Sequence, residues 1–205
     1  MKKMIVLAVV GLFGTQFAKA QVAKGDFLVG GGVGISTTSS KENDATDDKM
    51  TTTEFFISPK VGYALSDKWM IGVMAETNFF TSKDEVAGVE DKRNTTMIIP
   101  GVFVRNYHVI GGSKFAFFGE ANVGYGFGQT KQDGDKVSSN SGIYANVQPG
   151  ISYFVTKCFV IEGVFGGLSY ANTTSEAEGS DIKSKSSAFD FAFTQQFQLG
   201  VSFLF

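Results

Sequence analysis

Cysteine, histidine, tryptophan and proline are all scarce in this chain: one, one, one and three among 205 residues. The lone Cys158 can form no intrachain disulfide and is expected to be a buried or lipid-side thiol beside a turn. The lone His108 leaves little for imidazole-based acid–base, nucleophilic or metal chemistry. After the first twenty residues no apolar run reaches the roughly 20 residues that a membrane-spanning helix needs. No stretch carries a convincing 3.6-residue period either. If the chain crosses a membrane, it does so with strands.

What is present begins with a leader. "MKK" is a basic segment, "MIVLAVVGLF" a short apolar one, and "AKA" (Ala18–Ala20) a cleavage signal before Gln21. Residues 1–20 are therefore expected to be a cleavable signal peptide, with 21–205 as one domain of 185 residues. The residue directly after the cleavage point is Gln21 and not cysteine, which argues against a lipoprotein anchor. Loss of Lys2, Lys3 and Lys19 leaves 15 basic against 20 acidic residues, a balance that argues against nucleic acid as a partner. Phenylalanine (21) and glycine (25) are abundant instead.

Apolar and small or polar residues alternate with period two in eight runs: 26–38, 51–64, 68–81, 93–107, 114–128, 140–155, 158–171 and 187–205. The linkers alternate between long polar ones (39–49, 82–92, 130–140, 172–186) and short ones (65–68, 108–113, 156–157). The two faces are unlike. The last run sets Phe189, Phe191, Phe193, Phe197, Leu199, Val201, Phe203 and Phe205 opposite Asp190, Thr194, Gln196, Gln198, Gly200 and Ser202. Eight strands enclose little volume, so the bulky face is expected outside, toward lipid, and the small polar face inside. Closure would leave no unpaired edge in the hydrocarbon core. Trp69, Tyr63, Phe79 and Tyr153 would mark the membrane interfaces. The fold expected is all-β: an eight-stranded antiparallel up-and-down transmembrane β-barrel with four long extracellular loops and three short periplasmic turns.

The cleavable leader, the recurring text "ISPKVGYALSDKWMIGVMAE" and "VQPGISYFVTKCFVIEG", the glycine-rich "FLVGGGVGIS" and the final strand ending in Phe205 together resemble a known family. It is that of the small outer-membrane β-barrel proteins of the porin and OmpA-like superfamily, in the form common in Bacteroidetes-type bacteria. The resemblance spans the mature chain. It implies an outer-membrane location, contact with outer-membrane lipid and lipopolysaccharide, and a barrel without an appended peptidoglycan-binding domain. It also implies that the barrel-assembly machinery reads Phe205 as an assembly signal. A monomer without cofactor or bound metal is expected, and the surface partner is left open.

Parity directs Lys60, Glu76, Arg105, Glu120 and Glu162 into the lumen, beside Asn122, Asn146, Gln148, Gln196 and Gln198. On the lipid face near mid-membrane each Lys or Arg would cost about 2–4 kcal/mol. Arg105 and Glu120 are expected to form the central pair, across one tight turn. This polar network either fills the barrel or lines a path for small solutes, and the first reading is preferred. No catalytic site is expected: His108 falls at a periplasmic turn, and "VGGGVG" (Val29–Gly34) fails the phosphate-loop pattern at Ile35. The acidic segments "ENDATDDK" and "QDGDK" lack cation-loop spacing. Three readings follow. One is a non-enzymatic barrel with an envelope-structural and surface role. The second is a small passive channel. The third is a secreted soluble barrel holding an apolar ligand, with Phe189, Phe191 and Phe193 buried inside. The three prolines, Pro59, Pro100 and Pro149, sit in equivalent strands, where a bulge or bend is expected at each.

Overall fold

The computed structural model describes residues 22–41, 49–86, 89–111, 113–180, 182–191 and 197–205. The leader 1–20, the segment 42–48, and Phe193 and Gln196 lie outside them. Among the described residues ten strands form one antiparallel sheet: β1 (Phe27–Lys41), β2 (Lys49–Ala64), β3 (Trp69–Val86), β4 (Val89–Val109), β5 (Phe115–Gln132), β6 (Asp135–Phe154), β7 (Phe159–Phe165), β8 (Leu168–Ala177), β9 (Lys183–Phe191) and β10 (Phe197–Leu204). Each of β1 to β6 pairs with the next, β6 pairs with β7, β7 with β10, and β10 with β1. These eight strands make a ring. β8 extends the β7 side upward along β6, and β9 pairs with β8.

Period-two alternation sets the two faces, as it must in a strand. The outer face carries Phe27, Val61, Trp69, Val73, Val102, Val123, Tyr125 and Val201, all exposed. Phe189 and Phe191 are exposed as well. That removes the soluble barrel with an apolar lumen, which required them inside. Cross-strand aromatic pairs lie near the lower turns, Phe27 with Tyr63 at 5.1 Å and Phe115 with Tyr153 at 4.8 Å between ring centroids. Phe55 and Phe79 pair higher up.

The polar linkers are not all loops. β3 and β4 run on through 82–86 and 89–92, and β5 and β6 meet at a two-residue turn, Asp133–Gly134. Both turn residues have positive φ, 50° and 102°, which an Asp-Gly pair tolerates and which matches the twist of a hairpin. The expectation of four long loops is corrected to that extent. Roughly 9–11 residues suffice for a strand to cross a bilayer, whereas β4 has 21. The surplus stands at the end opposite the short turns. There hydroxyls and amides bond across strands, for example Thr95 to Thr130 at 3.0 Å and Asn172 to Ser187 at 2.8 Å.

The prolines show one common arrangement, and it is not the expected bulge at each site. On one side each proline sits in an unbroken ladder, opposite a small residue: Gly31 for Pro59, Ala75 for Pro100, Gly119 for Pro149. On the other side the ladder skips two positions. For Pro59 and Pro100 the register is the same on both sides of the gap (Ile57↔Thr77 and Lys60↔Met74; Ile98↔Phe127 and Gly101↔Gly124). A residue in an antiparallel pair turns its N–H and C=O toward the same neighbour. The missing N–H thus falls on the gap side, and flanking pairs hold the register. Only beside Pro149 does the partner gain a residue, since Val147 faces Leu168 while Gly150 faces Val164.

Candidate functional site

The lumen is built in layers, because the inward residues of all eight strands recur at the same heights. The layer beside the short turns is apolar. Leu28, Ala64, Met70, Tyr107, Ala116, Phe154, Val160 and Leu204 pack there with Val22, and Phe103 and Phe118 cover them. All are buried. Glycines make room for the large rings: a Cβ on Gly150 would stand 2.2 Å from the Phe118 ring. The sequence assigns most aromatics to lipid. These inward ones follow lumen parity but lie at the strand ends.

Above this layer stands an ion cluster. Arg105 on β4 and Glu120 on β5 are cross-strand neighbours. Arg105 Nε donates to Glu120 Oε2 at 2.8 Å, and its Nη2 lies 2.6 Å from the same oxygen. Arg105 Nη1 donates to the Tyr107 hydroxyl at 2.7 Å and to Glu162 on β7. Lys60 on β2 reaches both oxygens of Glu120, at 2.9 and 3.1 Å. The guanidinium also lies over the Phe118 ring, 4.1 Å from its centroid. Ser202 Oγ donates to Glu162 Oε2 at 3.1 Å, and Gln148 Nε2 to Glu120 Oε1 at 3.3 Å. Arg105 and Glu120 are 0% and 1% exposed. Two cations face two carboxylates, which is the balance that burial in low dielectric demands.

Above the cluster the lumen opens into a cavity of about 150 Å³, lined by Lys60, Glu76, Glu120, Asn122, Asn146, Gln148, Glu162 and Gln198 among others. Glu76 and Gln198 also line a wider vestibule of about 700 Å³, together with Glu54, Phe56 and Asn78. Of the lumen residues read from sequence, Lys60, Arg105, Glu120, Glu162 and Gln148 are thus joined in one network. Glu76, Asn122 and Gln198 face the cavity above it. Tyr107, Ser202 and Phe118 were not named as members of the network, although Ser202 and Phe118 stand on the inward face by the same parity that placed Arg105. Phe205 lies at the strand's end, 73% exposed, with its backbone bonded to Phe27. His108 is exposed, at the end of β4 beside the lower turn. "VGGGVG" is part of β1.

Three comparisons bear on these observations. Residues 5–205 match the family model of the outer membrane protein beta-barrel domain. No curated protein matches. Among solved structures, the outer membrane protein OprG of Pseudomonas aeruginosa is similar at 19% identity and a TM-score of 0.54, with 92% of this chain and 99% of that one covered. Outer Membrane Protein W of E. coli follows at 15% identity and a TM-score of 0.47, covering 87% and 97%. Ail, the attachment invasion locus protein of Yersinia pestis, has 14% identity and a TM-score of 0.40, covering 89% and 99%. The OprG likeness supports the fold, and the family match spans nearly the whole chain. This chain belongs to the family of outer membrane β-barrel domain proteins, and its place is the bacterial outer membrane.

Proposed function

We propose that this protein is a non-enzymatic outer-membrane barrel, shut at its periplasmic end, that serves envelope structure and presents its polar strand extensions to the outside. The observation that carries this reading is the buried apolar layer under the ion cluster. Burying a side chain such as Leu, Met or Phe contributes about 1.5–3 kcal/mol. Flooding Leu28, Met70, Phe103, Phe118 and Phe154 with a water column would then cost about 7–15 kcal/mol, so the shut state dominates at rest. Wild-type protein in a planar bilayer should give no unitary conductance, while boiled and unboiled samples should migrate differently on a detergent gel. Steady conductance in the wild type would overturn the reading.

The partners we propose are compatible with the same placement. Outer-membrane lipid and lipopolysaccharide meet the apolar outer face, and the barrel-assembly machinery reads the final strand through Phe205. Deleting Phe205 should slow assembly in cells more than refolding into detergent. The exposed polar hairpins, such as the Asp133–Gly134 tip, are the surface offered to other molecules.

A second reading, a small passive channel, draws on one observation: the lumen cavity and vestibule line up above the cluster and share Glu76 and Gln198. It requires the apolar layer and Arg105 to move aside. Phe118→Ala and Arg105→Gln should then conduct in bilayers. Silence in both variants, with folding intact, would end the channel reading.

A further inference from the structure

Glu76 is unlike the other carboxylates of the lumen cavity. Glu120 and Glu162 are met by Lys60 and Arg105. Glu76 forms no ion pair among the described residues; its Oε1 accepts a hydrogen bond from Asn78 Nδ2 at 2.8 Å. Lys60, Glu76, Glu120 and Glu162, which line the cavity, together with Arg105 beneath it leave one negative charge over, and it faces the cavity. The neutral groups beside it offer oxygen. Asn146 Oδ1 is buried without a hydrogen-bond partner. Gln148 uses its Nε2 on Glu120, which leaves its Oε1 as an acceptor. Both residues line the same cavity as Glu76.

We propose that this cavity is a binding site for one small primary ammonium ion, which enters from the outer vestibule. Three N–H donors suit a carboxylate and two amide oxygens, and a single positive charge completes the local balance. An anion is disfavoured because Lys60 and Arg105 are already engaged. A divalent metal is disfavoured because hard cations of that charge gather more oxygen ligands and usually more carboxylate. The space of about 150 Å³ takes several water molecules, and so an amine of a few heavy atoms. Entry is from outside, since Glu76 and Gln198 border both spaces while the ion cluster and apolar layer lie beneath. The inference goes beyond the sealed-barrel reading: bilayer conductance tests that reading, and binding tests this one.

The experiment is a titration of isotope-labelled protein folded in lipid nanodiscs, read from side-chain amide signals of Asn122, Asn146, Gln148 and Gln198. Methylammonium, potassium and tetramethylammonium chlorides are compared at matched ionic strength. Methylammonium should give saturable shifts confined to these amides, and tetramethylammonium, which has no N–H, should give none. Glu76→Gln and, separately, Asn146→Ala should each weaken the response at least tenfold. Each variant's folding is judged by its heat-dependent gel mobility. No saturable shift in the wild type overturns the proposal. So does an equal response to potassium, or wild-type affinity in both variants.

Discussion

Replacing Arg105 with methionine removes the one group that, among the described residues, bonds both Glu120 and Glu162. Lys60 still holds Glu120, but Glu162 is left with hydroxyl partners, Ser152 and Ser202. The buried cluster changes from neutral to one net negative charge. Leaving one member of a buried pair uncompensated costs about 3–5 kcal/mol. Loss of the guanidinium over Phe118 adds about 0.5–2 kcal/mol, offset in part by the methionine stem packing on the same ring. The paired change Arg105→Met with Glu162→Gln restores neutrality through Lys60 and Glu120, and should recover most of the loss, to within about 1–2 kcal/mol of the wild type. Urea titration in phospholipid vesicles measures both. Trp69 is the sole tryptophan and lies on the outer face, so its fluorescence reports the transfer from lipid to water. A loss below about 1 kcal/mol for the single variant would refute the argument that Arg105 neutralises a dry cluster. A double variant no better than the single would refute it equally.

Other consequences are quicker to state. Gly72→Ala would put a Cβ 2.1 Å from the Val61 carbonyl oxygen, and Gly150→Ala one 2.2 Å from the Phe118 ring, so each should lose about 1–3 kcal/mol in the same titration. Gly119→Ala, whose Cβ meets nothing within 4 Å, should change stability by less than about 0.5 kcal/mol. Pro59→Val supplies an N–H toward the β3 gap, and that new amide should be strongly protected in hydrogen exchange; free exchange would show the gap to be more than a missing donor. Spin labels at Val73 and Val123 should be relaxed by oxygen dissolved in lipid. Labels at Ser58 and Asn122 should respond to a water-soluble relaxant, and a reversed pattern would invert the assignment of faces.

The assignment of lumen residues was legible because strand parity is local. Once Phe115, Phe117 and Val123 are read as outward, Glu120 and Asn122 can only point inward. The Arg105–Glu120 neighbourhood was legible too, since a short turn between two strands sets their register. Glu162 and Lys60 as partners were not, because they come from strands elsewhere in the ring. Which inward residues share a height is set by the stagger of the whole ring. Residues 82–86, 89–92, 130–132 and 135–140 were misread for a different reason. A strand with water on both faces has no reason to alternate, so its composition resembles a loop; the Asp133–Gly134 pair was the available hairpin signal.

The inward aromatics mark the same division. In sequence, Phe103, Tyr107, Phe118 and Phe154 are exceptions to a mostly polar inward face, scattered over three strands. In space they gather into one layer with Leu28, Met70 and Leu204. The amino-acid order alone settled which face of each run is bulky and that the bulky faces belong to lipid, because period-two alternation is a property of single segments. Whether the lumen is open or shut, and which charges neutralise which, was decided only by tertiary structure. Those depend on ring closure and stagger, which bring residues of all eight ring strands into the apolar layer and residues from β2, β4, β5, β6, β7 and β10 into the cluster above it.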